Sequence, residues 1–295
     1  MTIQVKKGEK TFPFSRGILA RSISSSGLSY DEAYEIVVNI RESLHKQGIT
    51  TISAGELEDI VSKELLKLNL QEVERFYRVR RKIQFLRRPI FVLIGGGTGV
   101  GKTTMAAEVG HQLGIKKIIG TDTIREILRA IIPQEVAPTL HSSSFLACDE
   151  LKGDSSSNTV LYGFKRQAKL VNHGIIAVLT RGKKEGLKMV IDGVHLVPGG
   201  LQKRFRDPPG MVFQYVLDVP DRDRHIQRFY SRVEGSLRDP QRYIDYIDRI
   251  RDIHHHLVQM AKRHGIKIVN NTDYEEALED IVEDVLATLE TDMEK

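Results

Sequence analysis

Gly95 to Thr104 reads GGGTGVGKTT, directly after the apolar run IFVLI (residues 90–94) and directly before the helix-like TTMAAEVGHQLG (residues 103–114). Gly96 to Thr103 spells G-x-x-x-x-G-K-T, and a strand before it with a helix after it is the context in which this spacing cradles phosphate. Glycines let the chain turn and bring backbone N–H groups onto phosphate oxygens, and the following helix adds the positive end of its dipole. The expected phosphate contacts are Gly96, Gly97, Thr98, Gly99, Val100, Gly101, Lys102, Thr103 and Thr104. Lys102 is placed to reach the β- and γ-phosphates of ATP, and the Thr103 hydroxyl to ligate Mg²⁺. A glycine turn that only reverses the chain leaves a Lys-Thr pair at a helix start unexplained.

Outward from this loop, short apolar runs alternate with helical segments: PIFVLI, KKIIGT, LKMVIDG, VFQYVLDV and IKIVN. Continuous rather than alternating hydrophobicity marks strands buried on both faces, so an α/β domain is expected, with a mostly parallel five-stranded sheet between helices over residues 89–295. The Ser-rich KGDSSSN at 152–158 reads as a loop.

Residues 1–70 differ in texture and read as a small, mainly helical domain. Ser29 with Glu32, and Ser53 with Glu56, form capping boxes ahead of helical apolar spacing at Ala33, Ile36, Val37, Ile40 and Leu44, and at Leu57, Ile60, Val61 and Leu65. A shorter helix is expected over Ser15–Ser25, with an extended segment at Ile3–Val5. Residues 71–88, QEVERFYRVRRKIQFLRR, read as a basic helical linker lying on the second domain.

The chain has 295 residues and a formal charge of +5, from 44 Lys and Arg against 39 Asp and Glu. That excess favours anionic partners without requiring nucleic acid, and a phosphorylated metabolite satisfies it. One cysteine, Cys148, excludes a disulfide framework and suits a reducing cytoplasm. No apolar run nears the roughly 18 residues of a membrane span, and MTIQVKKGEK lacks the apolar core of a signal peptide.

Ligands of open α/β sheets gather at the carboxyl ends of strands. Asp122 follows KKIIGT and Asp192 ends MVID. Asp122 either orients the acceptor hydroxyl or caps the helix TDTIREIL; Asp192 is expected to hold Mg²⁺ with Thr103. His195, three residues on, could bind an oxyanion or fill a polar gap. Arg125 and Arg129 stand one turn apart to meet an acceptor anion, with His141 of TLHSSSFLA beside them. In DRDRHIQRFYSRV, Arg224, Arg228 and Arg232 recur at helical spacing opposite Ile226, Phe229 and Val233. An all-arginine face suits a lid over a triphosphate, with Arg228 stabilising the transferred group. The run HHH at 254–256 reads as surface or packing.

The segments PFSRGILARSISSSGLSYDEAYEI, IGTDTIRE, PTLH and VIDGVHLVPG, together with the loop, resemble archaeal 2-phosphoglycerate kinases over nearly the whole chain. The resemblance implies a P-loop kinase fold that uses ATP and Mg²⁺ to phosphorylate the 3-hydroxyl of 2-phosphoglycerate, giving 2,3-bisphosphoglycerate. Asp192 stands where many relatives are expected to carry glutamate, which keeps the charge and alters the reach to the metal. The first 70 residues resemble an ATP-cone, with Val5, Lys6, Phe14, Arg16, Ile18 and Arg21 as matching residues, which implies a second nucleotide site.

Two other readings stay open. A related kinase could act on a nucleoside or a mevalonate phosphate, although no aromatic residue follows Asp122 until Phe145. A nucleotide-responsive regulator could bind RNA through the basic linker, with an affinity that falls steeply with salt. VNNTD at 269–273 is no guanine-reading signature. The sequence leaves homo-oligomer formation open.

Overall fold

The computed structural model describes residues 3–86, 88–151, 159–201, 211–231 and 239–293. The expected loop at 152–158 and Arg232 lie outside the described residues. The chain divides into two compact units. The first runs to Leu86 and also takes in Gln112–Gly114 and the residues from Leu289 on; the second comprises Arg87–His111 and Ile115–Thr288.

In the first unit Ser15, Ser29 and Ser53 cap α1 (Arg16–Ser24), α2 (Tyr30–Lys46) and α3 (Ala54–Lys67). Both capping boxes form: the serine hydroxyl accepts from the glutamate N–H, and the glutamate accepts from the serine N–H. Such a cap contributes about 1 kcal/mol. Ala33, Ile36, Val37, Ile40 and Leu44 are the buried face of α2.

Two expectations need correction here. The unit also contains a three-stranded sheet, of which only Ile3–Val5 was legible as extended chain. Strands β1 (Gln4–Lys7), β2 (Lys10–Pro13) and β3 (Thr51–Ser53) lie in the order β2-β1-β3, antiparallel then parallel. The basic segment is also no linker: α4 (Gln71–Phe85) is a helix of the first unit. Tyr77 enters the core formed by Ile23, Ile36, Ile40 and Val61, with Val73 packed against it. The helix's charge is answered locally. Arg81 pairs with Glu58 at 3.3 Å, Arg80 donates to the Ser25 carbonyl at 2.8 Å, and buried Glu74 takes Arg78 at 2.9 Å and the Ser62 hydroxyl.

All five apolar runs of the second unit are strands: β4 (Ile90–Gly95), β5 (Lys117–Gly120), β6 (Lys188–Asp192), β7 (Met211–Asp218) and β8 (Lys267–Asn270). They pair in parallel in the order β5-β6-β4-β7-β8. Every residue of β4 is buried, as its unbroken hydrophobicity requires. The longer helices among the described residues are α5 (Lys102–Gln112), α6 (Thr121–Ile131), α7 (Thr159–Lys184), α8 (Arg222–Tyr230), α9 (Ile247–His264) and α10 (Tyr274–Met293). Phe91, Leu93 and Ile191 pack with Ile124 of α6 and with Val171, Ile175 and Leu179 of α7. Val216 packs with Phe229 of α8 and with Ile250, Ile253 and Leu257 of α9.

The register aligns Gly120 and Ile94 with Asp192, Gly95 with Val216, and Asp218 with Asn270. The carboxyl ends of the strands therefore form one edge. Strand β4 stands where the chain reverses its winding, since β5 and β6 lie to one side and β7 and β8 to the other. A crevice opens at such a point, and the glycine loop leaves β4 into it. Among the described residues no helix is long and apolar enough to cross a membrane.

Candidate active site

The loop between β4 and α5 holds Gly96, Gly99 and Gly101 at φ of 140°, 88° and 90°, which L side chains rarely adopt. Gly99 is also sterically fixed, because a Cβ there would stand 2.4 Å from the Phe229 ring. Lys102 opens α5, is 9% exposed, and donates its ammonium back to the Gly97 carbonyl. The Thr103 hydroxyl donates to Asp192 Oδ2 at 2.8 Å. Burial pushes the Asp192 carboxyl up, and the Thr103 hydrogen bond and the Lys102 charge only partly offset it.

Side chains from α8, from α9 and from the position just after β8 clasp the loop. His254 of α9 is fully buried; its Nδ1 accepts from the Gly97 N–H at 3.3 Å and its Nε2 lies 2.7 Å from Asp218 Oδ1 at the end of β7. His225 of α8 holds the Thr98 carbonyl through Nε2 at 2.7 Å, and burial pushes its pKa down to about 4. Arg228 donates to the Val100 carbonyl at 3.1 Å and to the Asn271 carbonyl, while Asn271 Nδ2 donates to Val100 at 2.7 Å. Burial, then the charge of Arg224, lowers the Arg228 pKa.

These contacts change two readings. His254 is neither surface nor filler, because its imidazole touches the phosphate loop directly. The arginine face is also not one uniform array on a lid. Arg228 is tied to the loop's own carbonyls, Arg224 is exposed, and α8 ends at Tyr230.

On the other side of the loop, Asp122 is the second residue of α6. Gly120 is the N-cap and no side chain caps the helix, so the capping role considered for Asp122 is not realised. Its carboxylate is 67% exposed and lies 4.0 Å from Arg125 Nε. Arg125 donates to the Ser142 carbonyl and to Glu126 at 2.8 Å; Arg129 pairs with Glu126 at 3.3 Å. His141 uses Nε2 on the Ile132 carbonyl at 2.9 Å.

His195 stands behind this surface instead of on it. It is fully buried, with Nδ1 2.9 Å from the Thr121 hydroxyl and Nε2 3.1 Å from Gln167 Oε1. Both nitrogens are engaged inside the protein, so of the two roles expected for His195 the structure shows the filling of a polar gap and not contact with an oxyanion. Burial pushes its pKa down to about 4, so it is neutral at pH 7. Gln167 of α7 gives its amide hydrogens to the carbonyls of Thr139 and Ser142, tying the segment that carries His141 to Thr121. Gly193, at φ 152°, admits this arrangement: a Cβ there would overlap the Thr121 hydroxyl at 1.7 Å.

The sequence reading missed Asp218, His225, Gln167, His254 and Asn271 as site residues. Asp218 ends β7 and Asn271 follows β8, so the strand-end argument that selected Asp122 and Asp192 would have selected both. Gln167, mid-helix, carries no such signal.

The fold and the site define a P-loop kinase, an ATP-dependent phosphotransferase. Residues 3–84 match the ATP cone domain family, beyond the expected boundary at residue 70 and across most of α4. The chain is 41% identical over 278 residues to the 2-phosphoglycerate kinase of Thermococcus kodakarensis, covering 94% of each chain. It is 40% identical to that of Methanopyrus kandleri, covering 95% of this chain and 86% of the relative, and 38% identical to that of Pyrococcus horikoshii, covering 96% and 93%. The chain belongs to the 2-phosphoglycerate kinase family.

Proposed function

We propose that the protein transfers the γ-phosphoryl group of ATP to the 3-hydroxyl of 2-phosphoglycerate, releasing ADP and 2,3-bisphosphoglycerate. The observation that carries the reading is the pairing, at one edge of the sheet, of a braced phosphate loop with an open carboxylate, Asp122, beside Arg125. Lys102 neutralises charge on the transferred group. Asp122 orients the acceptor hydroxyl and takes its proton, and Arg125, with Arg129, holds the acceptor's anionic groups. Such catalysis is mostly positioning and electrostatics.

Thr103 and Asp192 would hold Mg²⁺. Hard oxygen donors suit the ion, which keeps waters and phosphate oxygens in its remaining positions. Asp192 fits because burial leaves its charge incompletely compensated by protein groups. When bound, the ion neutralises the phosphate oxygens. We assign the first unit a separate nucleotide site around Val5, Lys6, Phe14, Arg16, Ile18 and Arg21, and we place the enzyme in the cytoplasm.

The test is product identification after incubation with Mg-ATP and 2-phosphoglycerate, alongside 3-phosphoglycerate, a mevalonate phosphate and nucleosides. The expected product is 2,3-bisphosphoglycerate. Turnover with another acceptor and none with 2-phosphoglycerate would overturn the assignment. For the first unit, calorimetry of the full chain is expected to count about two equivalents of ATP, and one equivalent alone would overturn the second site.

A further inference from the structure

We infer that His254 is a positioning residue for nucleotide binding: oriented by Asp218, its imidazole fixes the Gly97 segment of the phosphate loop and so the seat of Lys102. The inference rests on reading that loop as the ATP cradle.

The two partners of the ring define its state. A carboxylate only accepts, so the proton is on Nε2, facing Asp218 Oδ1 at 2.7 Å. Nδ1 then keeps its lone pair for the Gly97 N–H at 3.3 Å. A lysine or arginine here could offer only donors, and an apolar residue would leave a buried N–H without a partner. The Gly97 carbonyl in turn receives the Lys102 ammonium. The loop residue that seats the phosphate-binding lysine is thus held through both its N–H and its C=O.

Sequence and sterics agree with this role. Gly97 has no Cβ, so its backbone has little preference of its own. The space is also closed, since a Cβ would lie 2.7 Å from that of His254. His225 repeats the device one residue on by donating to the Thr98 carbonyl, and the two rings stand edge to face with centroids 5.9 Å apart. His254 is fully buried and both its ring nitrogens are engaged, by Gly97 and Asp218, so it acts through Gly97.

Three substitutions separate positioning from bulk. His254→Asn places an amide oxygen where Nδ1 stands and keeps an acceptor for Gly97. His254→Gln reaches Asp218 and withdraws that acceptor. Asp218→Asn, of unchanged size, offers N–H groups to Nε2 and turns the ring to the wrong tautomer, as at other oriented histidines. Initial rates are measured with Mg-ATP varied at saturating 2-phosphoglycerate, then the reverse. His254→Gln and Asp218→Asn are expected to raise the KM for ATP about tenfold, the scale of one lost buried hydrogen bond. The acceptor KM stays within about twofold, and His254→Asn recovers most of the loss.

The inference is overturned if the two KM values rise together, if neither moves, or if Asn serves no better than Gln. Should His254→Gln fail to fold, Asp218→Asn decides alone. Lys102→Ala run in parallel isolates the underlying reading: wild-type kinetics in that variant would mean that the loop is not the ATP cradle, whatever His254 does.

Discussion

Gln167→Leu tests the acceptor side through one buried hub. Gln167 is wholly inaccessible, and its amide nitrogen donates to two carbonyls, Thr139 and Ser142. Its oxygen must therefore accept from His195 Nε2, at 3.1 Å, which leaves His195 Nδ1 to accept from the Thr121 hydroxyl at 2.9 Å. Leucine fills a similar volume and offers no polar atom. The Ser142 carbonyl keeps Arg125 as a donor, but the His195 N–H and the Thr139 carbonyl lose the partners described here. Each buried group left unsatisfied costs about 1–3 kcal/mol. Added apolar burial offsets about 1 kcal/mol, so with two groups affected the net loss is about 1–5 kcal/mol. For a unit of this size 1 kcal/mol moves the melting temperature by about 2–4 °C. Scanning calorimetry of the full chain should then show a drop of about 2–20 °C. Initial rates of Gln167→Leu should show the acceptor KM rising more than that for ATP, because the freed segment carries His141 and the carbonyl that anchors Arg125. A melting temperature within about 2 °C of wild type would refute the reasoning, since a fully satisfied buried network cannot lose its hub at no cost.

Lys102→Ala should lower kcat by at least about a hundredfold with the melting temperature nearly kept, as expected for a group that stabilises transferred charge; a drop under tenfold by coupled ADP assay counts against it. Asp192 has a pH signature. Its folded pKa is raised above the ordinary 3.8 by burial, so its contribution to metal-free stability is present below that value and lost as pH rises through the folded pKa. Asp192→Asn should therefore melt higher than wild type at pH 7 in EDTA, lose the stabilisation given by Mg²⁺ with nucleotide, and turn over slowly; an unchanged or lower melting temperature in EDTA contradicts this. Gly193→Ala should cost more than about 3 kcal/mol, because it adds a Cβ at φ 152° overlapping Thr121; chemical denaturation measures it, and a cost under 1 kcal/mol refutes the crowding.

What was legible in the sequence was local. The glycine loop, five apolar strands and two serine–glutamate caps each fit within a few residues, and each formed where the pattern put it. The N-terminal sheet escaped because β2 is exposed throughout and β3 has three residues, so neither shows a buried strand's periodicity. The helix α4 was misjudged on charge: its arginines look solvent-seeking until Glu58 of α3 and Ser25 after α1 answer them. His254 was opaque because its meaning lies in Asp218, 36 residues earlier on another element. A polar residue facing inward on a helix shows its role only when the fold supplies the partner.

The two sides of the site are built on different physical terms. Beneath the phosphate loop, the grip is made by buried groups that meet the backbone: two imidazoles, an amide, and one guanidinium tied to carbonyls. That grip fixes geometry, and the Arg228 guanidinium is the group in it that carries a full charge. On the proposed acceptor side the arginines are already paired, Arg125 and Arg129 both with Glu126. An acceptor that uses them must draw guanidinium groups away from a carboxylate that is about half exposed and therefore only weakly held. A neutral hydroxyl cannot make that exchange, whereas a phosphate monoester, with more charge and more acceptor oxygens than Glu126, can. If the arginines hold the acceptor as proposed, the resident glutamate would act as a threshold on the acceptor's charge, and the open Asp122 carboxylate would disfavour an anion unless the arginines turn to meet it. A small acid carrying both a phosphate and a free hydroxyl satisfies both conditions, which is why the chemistry of 2-phosphoglycerate suits this site better than that of an uncharged polyol.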